Sequence, residues 1–128
     1  MSSIALVISA HYPPPILGRC GVITAGTSSA ITDLSADVAV KNHINTGAII
    51  TFLADGADVF IAFNNANTGT IDDTQGSTSA TSCMKLPSNT PIPFQLMKGY
   101  QYLLTKAAAS TKVRYWVSGI NDSKDAGK

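Results

Sequence analysis

Apolar and β-branched residues occur along this chain in short runs, and Gly, Pro, Asn and Asp separate one run from the next. The turn residues return about every ten positions, a spacing typical of all-β sandwiches and barrels. In the last run Val113, Tyr115 and Val117 alternate with Arg114 and Trp116, as in a strand with one face toward a core. The pattern predicts an all-β, single-domain antiparallel β-sandwich, jelly-roll-like, with about eight or nine short strands. A β-barrel is the alternative.

The stretch from Gly47 to Asn64 is the most apolar part of the chain and is predicted to be a central β-hairpin. Its two runs, Ala48–Ala54 and Asp58–Phe63, are joined at Asp55-Gly56, and Asp-Gly between apolar runs is a strong hairpin signal. Neither run alternates cleanly, so we expect both faces of the hairpin to be covered, by a second layer or by a neighbouring protein.

The remaining runs predict a series of further strands. They are Ile4–Ser9, Cys20–Ala25, Ala30–Leu34, Asp37–Asn42, Cys83–Leu86, Pro91–Met97, Tyr100–Lys106 and Thr111–Ser118. Pro91 and Pro93 place their strand at a sheet edge, because proline cannot donate to a ladder. Apolar residues between Leu96 and Ala107 also fit a helical spacing, but Gly99 and the nearby tyrosines favour a strand.

The chain divides into an N-terminal arm (1–16), a β-sandwich domain (17–120) and a polar C-terminal tail (121–128). In the arm, one face at strand spacing is apolar, and a stiff proline segment follows it. We interpret the arm either as a contact with a partner protein or as a stiff connector between strands. The residues of the predicted contact are Ile4, Leu6, Ile8, Tyr12, Pro13, Pro14 and Pro15.

Asn64–Ser82 is the longest polar stretch, and Ile71 is its one strongly apolar residue. A long loop within a compact domain is commonly functional or mobile. We expect it to be a solvated loop or a partner contact that includes Asn64, Asn65, Asp72 and Asp73. The pair Asp72-Asp73 also suggests calcium, but the regular acidic spacing of an EF-hand loop is missing, and we predict no metal.

Charged residues make up 13% of the chain, and none of them is Glu, whereas ordinary domains have roughly 25%. Ser and Thr together number 26. A weakly charged surface of this kind suits a subunit that buries much of itself against other proteins, although a neutral monomer is the alternative. The net charge is +1 and the basic residues are scattered, so we expect neither nucleic acid nor an anionic membrane as a partner.

No catalytic or metal-binding constellation is visible in the sequence. Cys20 and Cys83 are far apart; we expect two buried thiols, or a disulfide if their strands are neighbours. His43 is interpreted as a loop or core histidine, since no partner residue lies at a useful spacing. With no GxSxG or HExxH motif, we predict that the protein is not an enzyme and uses no cofactor. No signal peptide or membrane-spanning run is apparent, so a soluble, unsecreted protein is expected.

Four segments in the second half carry a resemblance to a known family. They are the strand-turn-strand ADGADVFIAF, the leucine-proline turn in CMKLPSNTPIPFQL, the KG turn in MKGYQYLLTKAAAS and the closing strand TKVRYWVSG. In this order, from Ala48 to Gly119, they resemble small β-sandwich proteins encoded beside the major capsid genes of tailed bacteriophages. Pro13–Pro15 and the Asn64–Ser82 loop have no counterpart in that pattern.

The resemblance implies a head decoration (cement) protein, a structural virion protein that stabilises an icosahedral capsid. It implies major capsid protein as the partner, a dimer or trimer of the chain itself, synthesis in the host cytoplasm and a location on the outer surface of the capsid. The alternative is a sugar- or small-ligand-binding sandwich, such as the base domain of a fibre, with Trp116, Tyr100 or Tyr102 as a stacking platform.

Overall fold

The computed structural model describes residues 16–71 and 83–119. These residues form two four-stranded antiparallel sheets. The strands are β1 (Cys20–Ala25), β2 (Ala30–Asp33), β3 (Ile49–Asp55), β4 (Val59–Asn64), β5 (Met84–Leu86), β6 (Ile92–Gln95), β7 (Tyr102–Ala107) and β8 (Thr111–Gly119). The helical structure in the described part of the chain consists of two short 3-10 turns, Leu34–Ala36 and Lys41–His43. The predicted all-β fold is confirmed.

The strand order identifies the architecture as a jelly roll. Sheet 1 has the order β1-β8-β3-β6, and sheet 2 has the order β2-β7-β4-β5. The first strand therefore pairs with the last, β1 with β8. The pairs β2–β7, β3–β6 and β4–β5 continue the series, and successive pairs alternate between the two sheets. Two interlocked Greek keys of this kind make up a jelly-roll sandwich. Pro93 lies in β6, an edge strand, as its proline content predicts.

The core lies between the sheets and is built from alternate residues of the inner strands. β3 contributes Ile50, Phe52 and Ala54, and β8 contributes Val113, Tyr115 and Val117. Sheet 2 contributes Val59 and Ile61 from β4, with Leu86 and Leu103 from its neighbours. Most of these side chains have no exposed surface, so burial of the apolar faces is the main stabilising term.

The predicted hairpin at Gly47–Asn64 is wrong. β3 and β4 are central strands, but β3 pairs with β6 and β8 while β4 pairs with β5 and β7, so the turn between them crosses from one sheet to the other. Gly56 has φ of +100°, and its N–H donates to Asn89 Oδ1 at 3.0 Å. The two runs bury their apolar faces against each other across the core rather than side by side.

The predicted strand at Asp37–Asn42 is also wrong, because this segment forms turns and the start of a 3-10 helix. Its alternation is real, since Val38 is exposed and Val40 is buried. The Asp37 side chain, however, accepts a hydrogen bond from Ala39 N at 2.9 Å, which bends the backbone into a local turn. The competing helical interpretation of Leu96–Ala107 does not hold, since β7 occupies the second half of that segment and the first half is a turn.

The first part of the predicted polar loop packs on its own domain. Ile71 is 1% exposed, and its N–H donates to Ser29 Oγ at 2.8 Å. A Cβ atom on Gly69 would lie 3.3 Å from Leu104 Cδ2. Leu104 alternates with the core residues Leu103 and Thr105, so it faces outward from sheet 2. The segment 65–71 therefore covers the outer face of sheet 2.

Candidate functional site: the apolar base of the sandwich

The loops collect at two ends of the sandwich with different chemistry. We call base the end formed by residues 16–19, 34–48, 65–68 and 96–101, and far end the end formed by 26–29, 56–58, 87–91 and 108–110. The strand registers define the two ends, since Ile49 pairs with Gly119 at the base and Asp55 pairs with Lys112 at the far end. Because neighbouring strands run antiparallel, alternate connections share one end.

Exposed large apolar side chains are concentrated at the base. Leu17 is 100% exposed, Val38 76% and Met97 65%. Ile16 and Ile49 at the same end are also exposed. Among the described residues, the other large apolar side chains that are exposed are Val22 in β1 and Met84 in β5. An end of a domain that carries several exposed apolar side chains is a candidate surface for contact with another protein or ligand.

The base is held rigid by hydrogen bonds between its loops. Gly99 N donates to Asn45 Oδ1 at 2.7 Å, and Gln95 Nε2 donates to the Gly47 carbonyl at 3.0 Å. Gln101 Nε2 reaches Asp33 Oδ1 at 3.2 Å. Below these bonds, the buried side chains Leu34, Val40, Ile44 and Leu96 close the core. The exposed side chains are thus presented on loops that are already ordered.

Two titratable groups at the base have shifted pKa values. The hydrogen bond from the Ser35 hydroxyl, 2.6 Å from Asp33 Oδ1, is the main cause of a lowered pKa for Asp33. For His43, burial lowers the pKa, and the positive charge of Arg19 adds to the effect. His43 is half-buried in a 3-10 turn. This position agrees with its interpretation as a loop or core histidine.

Tyr115 fixes the 34–48 connection to sheet 1. Its hydroxyl donates to Asp37 Oδ2, and burial, followed by this hydrogen bond, raises the pKa of the phenol well above its usual range. The ring passes over Gly21, its register partner in β1, where a side chain would collide with it. The base loop that displays Val38 is therefore attached to the last strand.

A cleft of about 270 Å³ opens at the base beside β6 and is lined by Phe63, Phe94, Gln95, Leu96, Met97 and Tyr100. Its floor is aromatic: the ring centroids of Phe63 and Phe94 are 5.7 Å apart, and each lies 5.8 Å from the ring of Phe52. These contacts anchor the floor in the core. The cleft can accept an apolar side chain from another molecule.

The far end is polar by comparison. Asp55 forms an ion pair with Arg114 at 2.9 Å, and Asp58 forms one with Lys85 at 3.6 Å. A second cleft there, of about 300 Å³, is lined by Ala57, Asp58, Phe60, Ser88 and Ala108. The Asp58 carboxylate in this cleft also accepts a hydrogen bond from Ser88 N at 2.8 Å. The Asp58 carboxylate is therefore already engaged within the domain.

Most of the predicted interface residues lie outside the described residues: Ile4, Leu6, Ile8, Tyr12, Pro13, Pro14, Pro15, Asp72 and Asp73. Asn64 and Asn65 are described, and they serve the fold. Asn64 Nδ2 donates to the Thr68 carbonyl at 2.7 Å, and Asn64 Oδ1 accepts from Asn65 N at 2.8 Å. These bonds shape the turn that carries residues 65–71 over sheet 2.

The sequence reasoning missed Leu17, Val38 and Met97. A signal for them exists, since each is a large apolar residue beside turn residues, in Leu17-Gly18, Asp37-Val38 and Met97-Lys98-Gly99. Loops run over the protein surface, but this signal does not distinguish the exposed Val38 from the buried Val40 in the same loop. That these turns share one end was not visible in the sequence.

The three aromatic residues named as candidate stacking platforms lie on different surfaces. Trp116 lies on the outer face of sheet 1, because its neighbours Tyr115 and Val117 face the core. Tyr102 lies on the outer face of sheet 2, and Tyr100 lines the base cleft. The three rings therefore belong to three separate surfaces.

The two cysteines differ in their surroundings. Cys20 is exposed, contrary to the expectation of a buried thiol, and its Sγ lies 3.3 Å from the Ile16 carbonyl. Cys83 is half-buried just before β5. β1 and β5 are edge strands of different sheets, so they are not neighbours. The condition for a disulfide between Cys20 and Cys83 is therefore not met.

Within the described residues, no group of three or more His, Cys, Asp or Glu side chains is arranged to hold a metal ion. The described part of the chain also contains no helix long and apolar enough to span a membrane.

Comparison with known proteins gives little. No family model matches the chain, and no curated protein is recognisably similar to it. One solved structure, described as "Bacillus endospore appendages form a novel family of disulfide-linked pili", aligns over 85% of this chain and 92% of its own. The sequence identity is 15% and the TM-score is 0.37.

Proposed function

We propose that the protein is a structural virion protein that decorates an icosahedral phage capsid and bridges subunits of the major capsid protein. The observation that carries the proposal is the concentration of exposed apolar side chains on the ordered base. The resemblance of the region Ala48–Gly119 to phage decoration proteins supplies the setting. A jelly roll by itself supports many functions and does not select this one.

Stabilisation of the capsid follows from linkage. A protein that binds the assembled lattice and not its separated subunits shifts the equilibrium toward the lattice. The base offers Leu17, Val38 and Met97 as apolar anchors on prearranged loops, so little conformational entropy is lost when they dock. Repetition over a symmetric shell makes individually weak contacts sufficient.

The test is rebinding of the purified protein to capsids from which it has been stripped. The wild-type protein is expected to cosediment with the shells and to raise the temperature at which they open. Leu17→Asp and Met97→Asp should each weaken binding at least tenfold, because a charge is desolvated at the contact.

Ala108→Asp is the matched control. It adds the same charge at an exposed position of the far end, and it should bind as the wild type does. Equal loss in all three variants would show that the contact does not lie at the base. Failure of the folded wild-type protein to bind stripped shells would refute capsid decoration.

A further inference from the structure

Within residues 16–71 and 83–119 the sandwich has four edge strands, and one of them lacks the features that usually shield an edge. Edge strands expose unpaired N–H and C=O groups, and proteins shield them with proline, charge or short length. β6 contains Pro93, and β5 is three residues long and carries Lys85. β2 is four residues long and ends at Asp33. β1 has six residues, CGVITA, with neither proline nor charge.

The register shows which backbone groups β1 presents at this edge. Val117 N donates to the Arg19 carbonyl at 3.1 Å, so the carbonyl of Arg19 faces β8. Because direction alternates along a strand, Gly21 and Ile23 also face β8. Cys20, Val22 and Thr24 direct both their N–H and C=O groups toward the open edge. Their side chains are exposed as well, and Val22 is 50% exposed.

The chain that precedes β1 is poorly suited to this edge. Arg19 N donates to the Ile16 carbonyl at 2.8 Å and Gly18 has φ of +88°, which marks a turn that reverses the chain. A hairpin continued from that turn would set Pro15 opposite Cys20 and Pro13 opposite Val22. Prolines have no N–H, so neither would donate to the outward carbonyls.

We propose that β1 pairs antiparallel with β1 of a second copy about a two-fold axis, joining two copies of sheet 1 into one eight-stranded sheet. With Val22 opposite Val22, Cys20 faces Thr24 of the second copy, and all three outward-facing residues find donors and acceptors. An isologous contact of this kind uses the same surface twice and closes at two copies. The pairing goes beyond the proposed function and matches the dimer that the resemblance implies. Because the two β1 strands run antiparallel, the two bases point in opposite directions, so one base of each dimer faces the shell.

The first test compares Val22→Pro with Val22→Thr by sedimentation over a range of concentrations. The N–H of Val22 faces the open edge, so proline there leaves the β1–β8 ladder intact. The wild type and Val22→Thr should form dimers, whereas Val22→Pro should raise the dimer dissociation constant at least tenfold. Unchanged circular dichroism establishes that Val22→Pro is folded.

A second test fixes the register. Opposed hydrogen-bonded residues in antiparallel strands have Cα atoms about 5.5 Å apart, within the range that a disulfide spans. Thr24→Cys should therefore give a covalent dimer with the Cys20 of a second copy under mild oxidation. Cys20→Ser/Thr24→Cys, which removes the opposing thiol, should not cross-link at this contact.

Other outcomes would overturn the pairing. A wild-type monomer that becomes a dimer when residues 1–15 are deleted would show that the chain's own N-terminal segment covers the edge. A wild-type dimer that Val22→Pro leaves intact would place the contact elsewhere. Rebinding to stripped capsids separates the two proposals, since Val22→Pro should still reach the shell while Leu17→Asp should still form dimers.

Discussion

Gly21 shows how a single missing side chain shapes the domain. It lies in β1 opposite Tyr115, and the tyrosine ring passes over it so that the hydroxyl reaches Asp37. A Cβ atom built on Gly21 would lie 2.6 Å from Asp37 Oδ2 and 2.6 Å from Tyr115 Cζ. The backbone of Gly21 does not have a positive φ. Glycine is required here because neighbouring side chains approach the backbone so closely.

Gly21→Ala is expected to destabilise the protein by about 1–3 kcal/mol, the usual cost of overpacking, because Tyr115 must leave its position. Urea unfolding measures the difference. Gly26→Ala is the matched control, since a Cβ at that site meets nothing within 4 Å. It should be neutral, or stabilising by about 0.4–1 kcal/mol through the unfolded chain. Equal effects of the two substitutions would contradict the close approach.

His43 should make the stability depend on pH. Burial and then Arg19 lower its pKa below 6.5, so the unfolded chain takes up a proton at a higher pH than the folded protein does. The associated stability is present above pH 6.5 and is lost as the pH falls from there toward the folded pKa.

The measurement is the free energy of unfolding in that window for the wild type and for His43→Gln. The wild type should lose more stability on acidification than the variant. Parallel curves for the two proteins would show that His43 titrates alike in the folded and unfolded states.

At the scale of elements, the segment 65–71 acts as a strap over sheet 2. Ile71 anchors its end, 1% exposed although it lies in a polar stretch. Asn64 shapes its beginning through the bond to the Thr68 carbonyl. A polar loop with one apolar residue is thus part of the domain's own packing, at least as far as Ile71.

Ile71→Ala should destabilise the domain by about 2–5 kcal/mol, the range for truncating a buried aliphatic side chain. It should also speed proteolysis within 65–71, because the strap loses its anchor. Val38→Ala removes an aliphatic side chain that is 76% exposed and should change stability by less than about 0.5 kcal/mol. If Ile71→Ala were as mild as this control, the strap would contribute little to the packing.

At the scale of the whole molecule, the jelly roll joins the two ends of the described chain, because β1 pairs along its length with β8. The described chain enters β1 through the turn at Ile16–Arg19, so β1 is the first strand among the described residues. The integrity of the fold should therefore depend on β1 and not on the arm.

Deletion of residues 1–15 should leave a folded protein with a thermal midpoint only a few degrees lower, while its occupancy on the capsid falls. Deletion of residues 1–25 removes β1, leaves β8 with an open edge and uncovers part of the core, and it should abolish cooperative unfolding. Circular dichroism followed during heating distinguishes these results. Loss of the fold in the shorter deletion would show that residues 1–15 are needed for the folded core.

Local pattern was sufficient for several features of this protein. The alternation of Val113, Tyr115 and Val117 identified the core face of β8, and Pro93 identified an edge strand, because side-chain direction and proline's missing donor are properties of the strand itself. The spacing of turn residues likewise indicated short strands throughout. These inferences need no knowledge of which strands are neighbours.

The local pattern could not predict which distant segments pair with each other. Asp55-Gly56 favours a tight turn equally well in a hairpin and in a crossing between sheets; the pairing of β3 with β8 and of β4 with β7 selects the crossing. The position of the base could not be predicted from the sequence for the same reason. Leu17, Val38 and Met97 are far apart in sequence, and they share one end of the molecule because antiparallel strand order, a non-local property, brings their loops together.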